Sequence, residues 1–383
     1  MTINFDNAAT TYPKPPEVRL AVQKALARCG SAGRGGHPLA AYTSEVVYRT
    51  RETAAAFFGA EPENVVFTQN CTHALNLAIQ GLARDGGHFI ISSMEHNSVM
   101  RPCYALTKAG RIRYSIAAVS ADPGETVRSF AACIRPDTRA IICTLAGNVT
   151  GAILPWREIG ALCRRHGLCF VADGAQACGI LPVQLSDGIN ILCCAGHKGL
   201  YGITGTGMLI TDGRYPLPPL MQGGSGSLSN LPEMPGHLPD ALECGTLGVI
   251  GIASLDAGIR FVQRQGLDSL RRHEEALCRR LIEHLHTVEG AQIYRTEGAD
   301  YVPIVSFRLP GLPSEEAAAR LGTLGYCLRA GLHCAPLAHK TLGTAPDGTV
   351  RFAPSVFSDT AGTRGLCSAI ERIVQEEKSA GHE

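Results

Sequence analysis

Two residues stand out by position as much as by type. In FVADGAQ (170–176) an apolar run ends in Asp173, and in ILCCAGHKGLYGITGTG (191–207) a second run ends in His197 and Lys198 before a glycine-rich turn. Burying an ammonium group is costly, and desolvation lowers its pKa, leaving a neutral amine that can attack a carbonyl. Most strand-end aspartates only stabilise a turn. A carboxylate and a lysine on neighbouring strand ends, however, suit pyridoxal 5'-phosphate (PLP): the lysine binds its aldehyde, and the carboxylate keeps the pyridine nitrogen protonated. A phosphate cradle is expected in TQNCTHALNLA (68–78), where the amides of Cys71, Thr72 and His73 open a helix. In MEHNS, His96 follows another apolar run and is a candidate partner for the cofactor ring. A lone histidine is more often structural, so the weight falls on the constellation.

These side chains need a frame. Short apolar runs at 65–67, 89–93, 112–119, 140–145, 169–172, 191–195 and 208–211 alternate with helical patterns such as 72–83 and 156–166. Continuous apolar strands with helical crossovers predict a mostly parallel sheet covered on both faces, with ligands beyond the carboxyl ends of its strands. A Gly-, Ser- and Pro-rich segment at 221–242 predicts a long functional loop. Beyond it, Leu270, Leu277, Leu281, Leu285 and Val288 fall on one stripe of a helix over 268–288. A strand at 304–309, a helix at 314–324 and a last helix at 359–378, capped by Asp359, complete a smaller α+β unit. The expected fold is α/β. A large domain spans 15–250, and a small C-terminal domain comprises 251–383 together with 1–14.

Composition narrows the function. The 383 residues are 45% hydrophobic and 18% charged, with a net charge of +1. That balance excludes a general nucleic-acid or membrane-surface binder, which carries a basic excess. No apolar run reaches the ~18 residues of a membrane span, and the N-terminus lacks the pattern of an export signal, so a cytoplasmic location is expected. The 15 cysteines show no CxxC pair and no metal-ligand spacing. They are expected to be reduced, most of them acting as small core hydrophobes.

The segments NFDNAATT, GRGGH, TQNCTHALNLA, EHNS, GNVTG, ADGAQ, GHK, ECGT and RAGLHCAP follow one another along the chain. In content and order they resemble the cysteine desulfurases, class-V members of the fold-type I PLP enzymes, over nearly the whole length. The resemblance implies a large domain with a mostly parallel seven-stranded sheet flanked by helices. It also implies roles. Lys198 would bind PLP, Asp173 would pair with the pyridine nitrogen and Gln176 with the phenolic oxygen, and His96 would stack on the ring and move protons. Cys71, Thr72 and His197 would serve the phosphate, and Thr246 would reach the phosphate of a partner subunit in a homodimer. Asn148, Arg351 and Arg329 would bind the substrate carboxylate, which suits a guanidinium fork. Cys334 would be the nucleophilic thiol, on a mobile, partly exposed loop made electropositive by Arg329 and His333.

The reaction implied converts L-cysteine to L-alanine, leaving on Cys334 a persulfide that passes to a sulfur-acceptor protein. A selenocysteine lyase or another C–S lyase on the same scaffold, acting on L-selenocysteine, is the alternative; a silent PLP-binding protein is a third reading. The chain also departs from the family pattern. Ala195 stands where a serine hydroxyl usually meets the phosphate, a loss of about 1.5–3 kcal/mol for a hydrogen bond to a charged group. Cys71 replaces a threonine, Gly199 is an extra residue after the lysine, and Leu332 replaces a histidine of the RxGHHC pattern.

Overall fold

The computed structural model describes residues 2–33, 35–296 and 299–380; Arg34 of the GRGGH segment and the last three residues of the expected C-terminal domain lie outside them. Its centre is a seven-stranded sheet in the order Val65–Thr68, Gly207–Thr211, Ile191–Ala195, Cys169–Asp173, Thr138–Thr144, His88–Ser92, Arg113–Ala117. Gly207–Thr211 runs antiparallel to both neighbours, and the other pairings are parallel. All seven strands answer to the apolar runs.

The alternation of side chains explains why these runs become inner strands. Ile141, Cys143, Phe170, Ala172, Leu192 and Cys194 pack into one core cluster, while Ala140, Ile142, Cys169, Val171, Ile191 and Cys193 pack into another. With a period of two, a continuous apolar run furnishes both faces of the sheet. Cysteine here behaves as a small hydrophobe, and among the described residues only Cys327 and Cys334 are exposed. Arg113–Ala117 forms an edge and carries exposed Arg113. The crossovers include Cys71–Leu82, Asn97–Lys108, Pro123–Ala132 and Trp156–His166.

A second, antiparallel sheet joins Val350–Phe352, Val305–Arg308 and Gln292–Ile293. Residues of helices Leu267–Leu285, Ser314–Thr323 and Thr360–Ala380 share its core cluster. Asp359 caps the last helix, its Oδ1 accepting the Gly362 N–H at 2.7 Å. The N-terminal segment touches both sheets' surroundings. Ile3–Asn4 pairs in parallel with Tyr326–Cys327, whereas the amide of Thr11 and the ammonium of Lys14 donate to the carbonyl of His197 at 3.1 and 3.0 Å. Helices Pro16–Arg28, Pro38–Phe58 and Val249–Gln265 were not assigned from the sequence. The second of these is tied to the end of the long loop by a buried ion pair between Arg51 and Glu243, which also accepts the Phe67 N–H.

Candidate active site

The carboxyl ends of the central strands open into a cleft of about 390 Å³. It brings together Cys71, Thr72, His96, Asn148, Asp173, Gln176, His197, Lys198, Arg329, Cys334 and Arg351. Thr246 is not among its lining residues; it is exposed and lines a separate cavity with Gln69, His73 and Gly205.

Asp173 ends its strand and is 2% exposed. Its Oδ1 accepts the Ala175 N–H at 2.9 Å and the Cys71 thiol at 3.4 Å, while Oδ2 has no donor among the described residues. Lys198 follows Ile191–Ala195 and is half-buried, its carbonyl fixed by the Tyr201 amide at 2.8 Å. Burial pushes its ammonium below the ordinary lysine range; Asp173 and Cys71 oppose that shift, and Arg351 and Arg329 add to it. Gln176 donates from Nε2 to the Ala8 carbonyl at 2.9 Å.

Burial acts on two histidines of the cleft. Burial, aided by Lys198 and Lys14, pushes His197 down to about 4, and its buried Nδ1 has no partner among the described residues. Burial likewise lowers His96. His96 precedes helix Asn97–Lys108, and its Nδ1 accepts the Ser98 N–H at 3.0 Å, which places the ring proton on Nε2.

Helix Cys71–Leu82 begins at the cleft. Its N-cap Asn70 takes the amide of His73 at 2.8 Å, so only the amides of Cys71 and Thr72 remain for an anion, one fewer than the sequence suggested. Gly207 makes this placement possible, because a Cβ there would meet the Asn70 backbone carbon at 2.5 Å. A dianion at the two free amides and His197, a protonated ring nitrogen at Asp173 and an aldehyde at Lys198 would each meet a group that the chain leaves unpaired. The residues present therefore fit PLP.

Cys334 stands at the cleft on a strained turn: His333 and Cys334 have φ of 48° and 57°, in the left-handed region. The turn is pinned. Asn148 donates from Nδ2 to the His333 carbonyl at 2.7 Å, the Asn97 amide donates to the Cys334 carbonyl at 2.8 Å, and His333 Nε2 lies 3.0 Å from the Thr349 carbonyl. These bonds hold the backbone around Cys334, and one expectation is corrected: His333, pushed down to about 2 chiefly by burial, adds no positive charge. The cations near the thiol are Arg329 and Arg351. Buried Arg351 donates from Nη1 to the Asn148 carbonyl at 2.9 Å, and its Nε has no partner among the described residues.

Sequence reasoning missed Asp6 and Glu95. Asp6 sits between Arg329 and Arg351, and Glu95 accepts from the Ser92 hydroxyl and from the Thr144 amide at 2.8 Å. Both residues lie inside quoted segments, NFDNAATT and MEHNS, but the partners of Asp6, and the Thr144 amide that meets Glu95, are remote in sequence.

The sequence pattern described as Aminotransferase class-V matches residues 3–362. A probable cysteine desulfurase of Methanothermobacter thermautotrophicus is 30% identical over 380 residues, covering 96% of this chain and 94% of that one. One of Pyrococcus abyssi is 27% identical, covering 99% and 96%. The solved apo structure of a cysteine desulfurase from Thermococcus onnurineus NA1 superposes with a TM-score of 0.90 at 28% identity, over 98% of this chain and 95% of that one. Class-V members are generally PLP-dependent. With the family pattern running almost from end to end over a fold of the same topology, the chain belongs to the class-V aminotransferase family and groups with its cysteine desulfurases.

Proposed function

We propose that the protein is a PLP-dependent cysteine desulfurase that takes sulfur from L-cysteine onto Cys334 and releases L-alanine. One observation carries this reading: an exposed cysteine, fixed on a strained turn, shares a cleft with a desolvated lysine and a buried carboxylate. PLP would be held by Lys198 through its aldehyde, by Asp173 at the ring nitrogen, by Gln176 at the phenolic oxygen, and by the Cys71 and Thr72 amides with His197 at the phosphate. Thr246 would add a contact from a partner subunit. When bound, PLP supplies an electron sink for the Cα substituents of an amino acid.

The chain's own groups do the rest. Lys198, whose pKa burial lowers, takes the proton from the substrate Cα on its Nζ. Arg351 and Arg329, with Asn148, orient the substrate carboxylate. His96 bears its proton on Nε2, from which it exchanges protons with substrate. Cys334 Sγ attacks the substrate sulfur: an S–S bond forms, the Cβ–S bond breaks, and its electron pair stays with carbon, which becomes the methyl group of alanine on protonation. The persulfide left on Cys334 is exposed to an acceptor protein.

The deciding experiment compares wild type with Cys334→Ala on L-cysteine and L-selenocysteine. The variant is expected to bind L-cysteine but to lose alanine release by orders of magnitude, with deselenation falling less. Mass spectrometry of the wild type after brief exposure to L-cysteine should place one extra sulfur on the peptide holding Cys334. If Cys334→Ala desulfurates at the wild-type rate, a simple lyase replaces this reading.

A further inference from the structure

Among the described residues, Asp6 is the one acidic side chain that meets both cleft arginines. Its Oδ1 accepts from Arg351 Nη2 at 3.1 Å, and its Oδ2 accepts from Arg329 Nε at 3.0 Å. Asp6 is half-buried and does not itself line the cleft, whereas both arginines do. Its backbone is held as firmly as its carboxylate. The flanking residues bond to the second sheet, Asn7 N–H to the Ala353 carbonyl at 3.1 Å and Ala353 N–H to the Phe5 carbonyl at 2.8 Å. Strand Val350–Phe352, which carries Arg351, meets Arg329 through a further backbone bond of 2.8 Å. The carboxylate is therefore a fixed part of the wall that presents the guanidinium groups.

The consequence is one of charge. Arg329 and Arg351 bring two cations to the end of the cleft where Cys334 stands, and Asp6 cancels one. We propose that Asp6 sets the charge selectivity of the site. By offsetting one arginine it leaves a single uncompensated cation, which matches an amino acid with one carboxylate and a neutral side chain and disfavours substrates carrying a second anionic group on Cβ, such as a sulfinate or a second carboxylate. This rests on the proposed reading of the cleft as an amino-acid site, but not on which bond is broken there. Asp6 acts through the arginines and is a positioning residue.

The test is calorimetric titration of the holoenzyme with L-alanine, which has one anionic group, and with L-aspartate, which has two. In Asp6→Asn, binding of L-aspartate should strengthen about tenfold more than binding of L-alanine, the scale of one added charge meeting one further anionic group through a partly screened medium. Equal gains for both ligands, or none for L-aspartate, overturn the proposal. A second pair of variants guards against a folding defect at position 6. Arg329→Gln leaves Arg351 paired with Asp6 and should weaken L-alanine about tenfold; adding Asp6→Asn to it should restore binding. If Arg329→Gln binds L-alanine as well as wild type, or the double variant shows no recovery, charge counting is wrong. Persulfide formation is read separately on wild type. Its absence would sink the desulfurase reading while leaving the selectivity result standing.

Discussion

Lys198 illustrates how several opposing groups set one property. Burial is the largest influence on its ammonium and lowers its pKa; Asp173 raises it, and the two arginines lower it again. The signs give a test in the apoprotein, independent of turnover. Acylation of Lys198 by acetic anhydride, which expels acetate, should rise with pH at a lower midpoint than that of surface lysines. Asp173→Asn removes the stabilising anion and should move the midpoint lower still. Peptide mapping by mass spectrometry reads the modification site by site. A midpoint that moves up in Asp173→Asn would mean that the carboxylate does not act on Nζ. Cys71 belongs to the same group: its thiol donates to Asp173 Oδ1, so the departure from threonine still places a donor on the carboxylate.

At the scale of elements, the cleft depends on how strand ends are tied together. Glu95 is a buried carboxyl between the ends of His88–Ser92 and Thr138–Thr144, accepting from the Ser92 hydroxyl and the Thr144 amide. Burial, the dominant cause, pushes it up to about 8 from 4.5. The folded protein therefore holds a proton that the unfolded chain has lost between those values. This contribution to stability is complete below about pH 4.5 and disappears as the pH rises through about 8. Glu95→Gln keeps the accepting oxygen and removes the titration. Urea unfolding across that range should show wild type losing stability relative to Glu95→Gln as the pH rises; a constant difference would mean that Glu95 is ionised in the fold.

The same scale shows what could be read from the chain. Six of the seven sheet strands were legible because each is a buried run with apolar residues on both faces, the edge strand Arg113–Ala117 being the half-exposed exception, and helix Trp156–His166 because its apolar stripe is continuous. Helix Pro38–Phe58 was not, since its sequence PLAAYTSEVVYRTRETAAAFF mixes threonines and charges, and Arg51 is buried against the remote Glu243, the Val65 carbonyl and the Phe67 ring. Asp6 was hidden for a related reason. Its partners lie 323 and 345 residues away, and only the pairing of the N-terminal segment with the second sheet brings them together. Lys198, Asp173 and His96 were visible because each follows its own strand, so the local pattern and the site coincide.

For the whole molecule, Thr246 is the residue that one chain leaves without a use. It is exposed beside Gly245 and Gly248, lines no part of the cleft, and follows a segment on which Leu220, Met221, Leu228 and Leu231 are also exposed. Apolar side chains in such number on one loop cost little if a second copy covers them. The cleft, for its part, has lost the hydroxyl expected at position 195, and one of its three cradle amides is spent on the Asn70 cap. A phosphate contact supplied by Thr246 of a second subunit would make good part of that loss and would couple cofactor retention to association. The expected outcome is a homodimer in sedimentation velocity whose bound PLP is released as dilution drives it to monomers, both changes following one concentration dependence. In Thr246→Ala the dimer should persist while PLP is held several-fold less tightly, a change of about 1 kcal/mol for one lost hydrogen bond. A monomer that keeps PLP undiminished on dilution would show that each chain completes its own site.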